Sequence, residues 1–224
     1  MSLGGNLYCL VIVDDYSRYT WVFFLHDKTE VASCFKKFSK RAQNEFEVKL
    51  KKIKSDNGKE FDNTNIETYC DEVGIKHEVS TTYTQQNGVV GRKNQTLITL
   101  ARTMLDEYNT PEALWAEAIN TACYASNCLF LQKFLGKTPY ELLNGKKSDV
   151  SFLRVFGCKC YIYKKRQHLG KFQRHCDIGF LVGYSSKSKA YRVLIMPPAW
   201  LKKHMMWNLI NLTAPNEHMR ILMM

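Results

Sequence analysis

No apolar run in this 224-residue chain reaches the roughly 18 residues that a membrane-spanning helix needs. The first residues, Met1-Ser2-Leu3-Gly4-Gly5, lack the basic and apolar regions of a signal peptide. Proline is scarce, with 5 residues. Acidic residues are the minority charge. Against 32 Lys and Arg stand 21 Asp and Glu, for a net charge of +11, which favours a polyanionic partner, most simply nucleic acid. The 8 cysteines have no disulfide-scaffold spacing. Several, such as Cys9, Cys34, Cys70 and Cys123, lie in apolar stretches and read as buried reduced thiols of an intracellular protein. A hydrophobic content of 45% suits a globular fold of one medium and one small domain.

The pattern is mixed α/β. Leu7 to Val13 is a continuous apolar, β-branched run that reads as a buried strand. Asp14 to Arg18 then forms a turn, and Tyr19 to Leu25 returns as a hairpin partner. Val31, Phe35, Phe38 and Ala42 recur at helical spacing. Val48 to Lys54 reads as a third strand. Ile66 to Val73 predicts a short helix stopped at Gly74, followed by a strand over Lys76 to Thr81. The polar run Thr82 to Gly88 is a loop, and a long helix begins near Val89. Thr110-Pro111-Glu112 predicts an N-cap, an N1 proline and an early acid that open a further helix. Beyond Ser151 the chain turns strand-like, over Phe152 to Tyr163, Ile178 to Tyr184 and Ala190 to Ile195, which suggests a small β-barrel. The methionine-rich residues 197–224 show no clear period and read as a divergent, disordered or miscoded tail.

Several ordered motifs resemble the integrase region of copia-type retrotransposon Pol polyproteins. They include Val13-Asp14-Asp15-Tyr16-Ser17-Arg18-Tyr19-Thr20-Trp21, Ser55-Asp56-Asn57-Gly58, Gln85 to Val90, Arg92-Lys93-Asn94, Leu114-Trp115-Ala116-Glu117-Ala118, Lys137-Thr138-Pro139-Tyr140 and Leu153-Arg154-Val155-Phe156-Gly157-Cys158. The resemblance runs from Gly4 to Leu194. It implies a ribonuclease-H-like integrase core lacking its first strand over residues 1–145. An SH3-like β-barrel over 146–196 and the tail over 197–224 follow. The implied reaction is DNA integration by polynucleotidyl transfer, with end processing and strand transfer. Three carboxylates hold two Mg²⁺ (or Mn²⁺) ions about 3.5–4 Å apart, and Mg²⁺ demands hard oxygen ligands. DNA, a homo-oligomer and a nuclear location are the implied partners and place, with no membrane.

The resemblance makes Asp56 the second metal-binding carboxylate. At the third position, directly before Arg92, it expects Glu, and this chain has Gly91. The separation from Asp56 to Gly91 is 35 residues, one fewer than expected. Glu78 precedes the loop on a strand. Asp106 lies about 22 Å farther along the helix at 1.5 Å per residue. Neither suits as a substitute. The first carboxylate belongs upstream of Met1, on a strand that would sit centrally in the sheet, so its neighbours would be left with unpaired backbone groups. Asp14 and Asp15 read as hairpin-turn residues instead. The expectation is therefore a catalytically dead copy with metal binding lost or weakened. The alternatives are a non-enzymatic nucleic-acid-binding module or a relic.

Arg92, Lys93 and Asn94 open the helix after the loop, where the resemblance puts the DNA end. Lys164, Lys165, Arg166, Lys171 and Arg174 make the barrel region basic and suited to salt-sensitive phosphate contacts. Cys158, Cys160, His175 and Cys176 do not have zinc-site spacing, and the cysteines read as buried core thiols.

Overall fold

The computed structural model describes residues 1–55, 64–79, 88–163, 176–185, 190–195, 208–213 and 221–223. Contacts divide the chain into two compact units, one of residues 1–13 and 20–96, the other of residues 14–19 and 97–224.

In the first unit β1 (Tyr8–Val13) and β2 (Thr20–Leu25) form the expected antiparallel hairpin, with Tyr8 opposite Leu25 and Val13 opposite Thr20. A 3-10 turn at Lys28–Glu30, capped by Asp27 accepting from the Thr29 amide at 2.8 Å, leads into α1 (Val31–Phe46). Val31, Ala32, Phe35 and Phe38 of α1 are buried, at roughly 1.5–3 kcal/mol for each large side chain removed from water. Phe38 receives the rings of Trp21 and Phe23 at 5.1 and 5.6 Å.

β3 (Lys52–Ser55) and β4 (Lys76–Val79) pair in parallel, with α2 (Thr64–Val73) between them in sequence. Gly74, at φ +72, ends α2 as expected. The third strand is shorter than the sequence suggests. Val48 is exposed, and the Leu50 amide donates to Gln43 Oε1 at 3.1 Å rather than to a strand. One apolar core joins Leu10, Leu25, Phe35, Ile66, Tyr69, Cys70 and Ile75, with Ile12, Phe23 and Ile53 packed against it. The hairpin and the β3–β4 pair share this core but remain separate two-stranded sheets among the described residues.

α3 (Gly88–Glu107) starts within a residue of the expected position. The helix after it starts later than Thr110-Pro111-Glu112 suggests. The Thr110 hydroxyl and amide both donate to Leu105 O at 2.9 Å and close α3, so Thr110 is no N-cap. Glu112–Leu114 is a 3-10 turn, and α4 runs Trp115–Leu129. Helix α5 (Pro139–Asn144) is an element additional to those expected from the sequence. Its signal was present: Thr138 accepts from the Glu141 amide at 3.2 Å, and Glu141 Oε2 accepts from the Thr138 amide at 2.8 Å, a reciprocal capping box.

β5 (Lys159–Tyr163), β6 (Cys176–Tyr184), β7 (Ala190–Ile195), β8 (Asn208–Thr213) and β9 (Ile221–Met223) form one antiparallel sheet in the order β8-β7-β6-β5-β9. Phe152 to Cys158 is not part of the β5 strand. Gly157 turns at φ +80, and the Arg154 backbone is held by the Tyr184 hydroxyl, which accepts from its amide at 2.7 Å and donates to its carbonyl at 2.9 Å. Most of the tail, residues 197–207, 214–220 and 224, lies outside the described residues, but two short segments of it form strands. Residues 208–213 and 221–223 add strands to both ends of the sheet, where Asn-Leu-Ile-Asn-Leu-Thr offers a β-forming segment to the free edge of β7. Two buried clusters fix the sheet. Val182 and Leu194 pack with Ala101, Leu114, Ala118 and Phe156. Cys158, Cys160, Ile162, Leu181 and Val193 form the other.

Candidate active site and nucleic-acid interface

A parallel strand pair carries the carboxyl end of β3 toward Asp56, which the resemblance makes the second carboxylate. Ser55 is the last residue of β3, and its hydroxyl lies 2.9 Å from His77 Nε2 on β4. Asp56, next in sequence, lies outside the described residues. Glu78, the nearby acid, is engaged elsewhere. Its carboxylate takes Lys52 Nζ at 2.5 Å and Lys76 Nζ at 3.1 Å, and these bonds, the Lys52 one first, hold it below the usual carboxylate range.

Gly91 sits in the first turn of α3, exposed, and a Cβ added there would meet nothing within 4 Å. The place is therefore open to a longer side chain, yet glycine contributes no ligand atom. Arg92 is exposed and folds its guanidinium back over Gly88, where an added Cβ would lie 2.8 Å from Arg92 Nη1. Lys93 is half-buried and Asn94 exposed. The three residues thus share the opening turns of α3, where helix amides point outward and favour an anion.

Asp14 and Asp15 stand in the β1–β2 turn. Asp14 Oδ2 accepts from the Ser17 amide at 2.7 Å and from the Ser17 hydroxyl at 2.6 Å, and Asp15 pairs with Arg18 at 2.6 Å. Lys164, Lys165, Arg166, Lys171 and Arg174 lie outside the described residues, as does His175. Lys159, at the start of β5, lies over the Tyr161 ring with Nζ 5.4 Å from its centroid. Cys158 and Cys160 are buried in the sheet core. Burial, and after it the neighbouring Cys158 thiol, pushes Cys160 up to about 12, which keeps it a protonated core thiol. Among the described residues no three His, Cys, Asp or Glu side chains come together to hold a metal. No described helix is long and apolar enough to cross a membrane.

Two protein-family descriptions match the sequence: "Integrase core domain" over residues 1–85 and "Retroviral polymerase SH3-like domain" over residues 158–197. The chain is 34% identical over 193 residues to the Retrovirus-related Pol polyprotein from transposon TNT 1-94 of Nicotiana tabacum, covering 86% of this chain and 14% of that protein. It is 29% identical over 198 residues to the Pol polyprotein from transposon RE2 of Arabidopsis thaliana, covering 88% of this chain and 14% of that one. It thus spans about one seventh of the length of these curated relatives. Among solved structures, a chain of the simian T-cell lymphotropic virus intasome in complex with PP2A regulatory subunit B56 gamma matches 95% of this chain and 71% of its own. The TM-score is 0.50 and the identity 17%. The HTLV-2 integrase catalytic core domain in complex with magnesium (trimeric form) is 25% identical, with a TM-score of 0.46, covering 59% of this chain and 82% of that one.

The fold is that of the integrases, a ribonuclease-H-like α/β core followed by an SH3-like domain. The chain belongs with the copia-type retrotransposon Pol polyproteins, to whose integrase region it is homologous.

Proposed function

We propose that this chain is a DNA-binding form of the retrotransposon integrase in which the metal-dependent joining of DNA ends is lost. The observation that carries the reading is Gly91. It occupies the exposed first turn of α3, where the family resemblance expects a metal-binding Glu. Two ions held by carboxylates clamp the attacking and leaving oxygens in such chemistry, and a glycine offers neither charge nor oxygen. Glu78 is drawn to Lys52 and Lys76, and Asp14 to the Ser17 turn, so neither is available to replace it. Among the described residues no carboxylate set therefore fits the two-ion group, and no catalytic step follows from them.

DNA binding draws on different groups. The net charge of +11 supports it, as do Arg92, Lys93 and Asn94 on the opening turns of α3. Lys164, Lys165, Arg166, Lys171 and Arg174 would add phosphate contacts through their charge. Such binding is salt-dependent and largely indifferent to sequence. A homo-oligomer and a nuclear location belong to the same reading. The test is DNA-end processing and strand transfer by the purified chain in Mg²⁺ and in Mn²⁺, with DNA affinity measured on the same sample. Salt-sensitive binding without product is the expected result. Metal-dependent product from the chain as written overturns the reading.

A further inference from the structure

A cavity of about 280 Å³ opens in the second unit, between α4, α5 and the segment that follows α5. Its walls are aromatic on one side, with Tyr124 of α4, Tyr140 of α5 and Phe152. Lys146, Lys147, Ser148 and Asp149 complete it. The aromatic wall is held from behind. The Tyr124 ring lies 5.1 Å from that of Tyr184 and 6.4 Å from that of Phe152. The Tyr191 hydroxyl donates to Phe152 O at 2.8 Å.

The basic wall is positioned too. The Thr138–Glu141 capping box starts α5, and Gly145 ends it in the left-handed region at φ +69. Ser148 Oγ then donates to Cys128 O at 3.1 Å, pinning the Lys146-Lys147-Ser148 turn against the end of α4. Both lysines are exposed. Asp149 is the one acid in the lining, and its Oδ1 accepts from the Ser151 amide and hydroxyl at 3.1 and 2.6 Å. A phosphate must therefore take the lysine side of the cavity.

We propose that this cavity receives one unstacked nucleotide of single-stranded nucleic acid, with the base against Tyr124, Tyr140 and Phe152 and the phosphate on Lys146 and Lys147. The volume suits a group of about the size of one base. Aromatic faces bind bases of any sequence, and paired cations beside them track the backbone. A base inside a duplex hides its faces in the stack, so the cavity selects single strands. The proposal rests on the nucleic-acid-binding reading above and adds to it a site outside the catalytic motifs.

The test is fluorescence anisotropy of the full chain with a labelled oligothymidine of about 12 nucleotides, beside a blunt duplex of equal length. The variants are the double Lys146→Ala/Lys147→Ala and the single Tyr140→Leu, each checked for folding by circular dichroism. Each variant should weaken single-strand binding about 10-fold while duplex binding changes less than about 2-fold. The double variant should also lower the salt slope for the single strand by about 1.4. Binding of both nucleic acids with no loss in either variant overturns the cavity and leaves the DNA-binding reading standing. So does an equal loss on duplex and single strand. Failure of the unaltered chain to bind either nucleic acid overturns both. A phosphotyrosine peptide that binds more tightly than the oligonucleotide, and is lost in the same variants, overturns the proposal in favour of a protein ligand.

Discussion

Arg192 on β7 and Glu117 on α4 meet with Nη2 donating to Oε1 at 2.6 Å, joining helix to sheet 75 residues apart in sequence. The pair is imperfectly satisfied. Glu117 Oε2 and Arg192 Nε are buried with no partner among the described residues. Removing one member strands the other in a poorly solvated place. Arg192→Ala should therefore cost about 2–4 kcal/mol, read as a lower urea midpoint with unchanged slope.

The same pair makes stability depend on pH. Burial raises the Glu117 carboxyl above its ordinary value of 4.5, and Arg192 only partly opposes this. A carboxyl raised on folding binds its proton more tightly in the folded state, so its contribution is full below pH 4.5 and is lost as pH rises through the folded value. Glu117→Gln cannot titrate. The stability of the unaltered chain relative to Glu117→Gln should fall as pH rises from 4.5 through the raised value, and a difference flat across that window contradicts the assignment.

Helix α4 packs against β6 at a glycine. Thr121 Oγ1 donates to Val182 O at 3.1 Å, and a Cβ on Gly183 would come within 2.7 Å of that hydroxyl oxygen. Gly183 also holds φ +148, beside the register shift between β6 and β7. Gly183→Ala should lose about 2–4 kcal/mol by strain and overlap together, measured by urea unfolding. Gly157→Ala offers a parallel case, with Tyr108 Cβ at 3.0 Å and φ +80.

Gly91 behaves in the opposite way. Space around it is open and it lies in the first turn of a helix. Gly91→Glu should raise stability by about 0.5–1 kcal/mol, because glutamate is the better helix former and its charge suits the helix N-terminus. Thermal unfolding checks this. A destabilised variant would mean that the site is shaped for glycine.

Thr138→Ala removes the hydroxyl that caps α5. A loss of about 1 kcal/mol is expected. Because the same cap positions the wall carrying Lys146 and Lys147, single-strand affinity should fall with it, while duplex affinity is retained.

The hairpin was legible because Tyr8 to Val13 is apolar without interruption and Asp14-Asp15-Tyr16-Ser17 breaks it with turn-forming side chains. Helix α1 was legible from the three- and four-residue spacing of Val31, Phe35 and Phe38, all buried. Local pattern misled wherever a distant partner decided the outcome. Phe152 to Cys158 looks like strand, but Tyr184 holds the Arg154 backbone in a turn. Thr110 looks like a helix cap, but Leu105 O takes its hydroxyl. Strands β8 and β9 are short segments in a stretch without clear period, and their pairing with the edges of β7 and β5 defines them. At the candidate site the motif residues themselves named the integrase relationship. The aromatic cavity could not be read in advance. Tyr124, Tyr140 and Phe152 come from α4, α5 and a later loop, and no spacing in the sequence brings them together.

The most direct measurement is a DNA-end joining assay on the purified chain in Mg²⁺ and Mn²⁺, run beside a salt titration of its DNA affinity. Binding that weakens steeply with salt, with no joined or processed product in either metal, is the expected result. Product that appears with metal and vanishes with chelator would contradict it, and would mean that the ions are held without a carboxylate at Gly91.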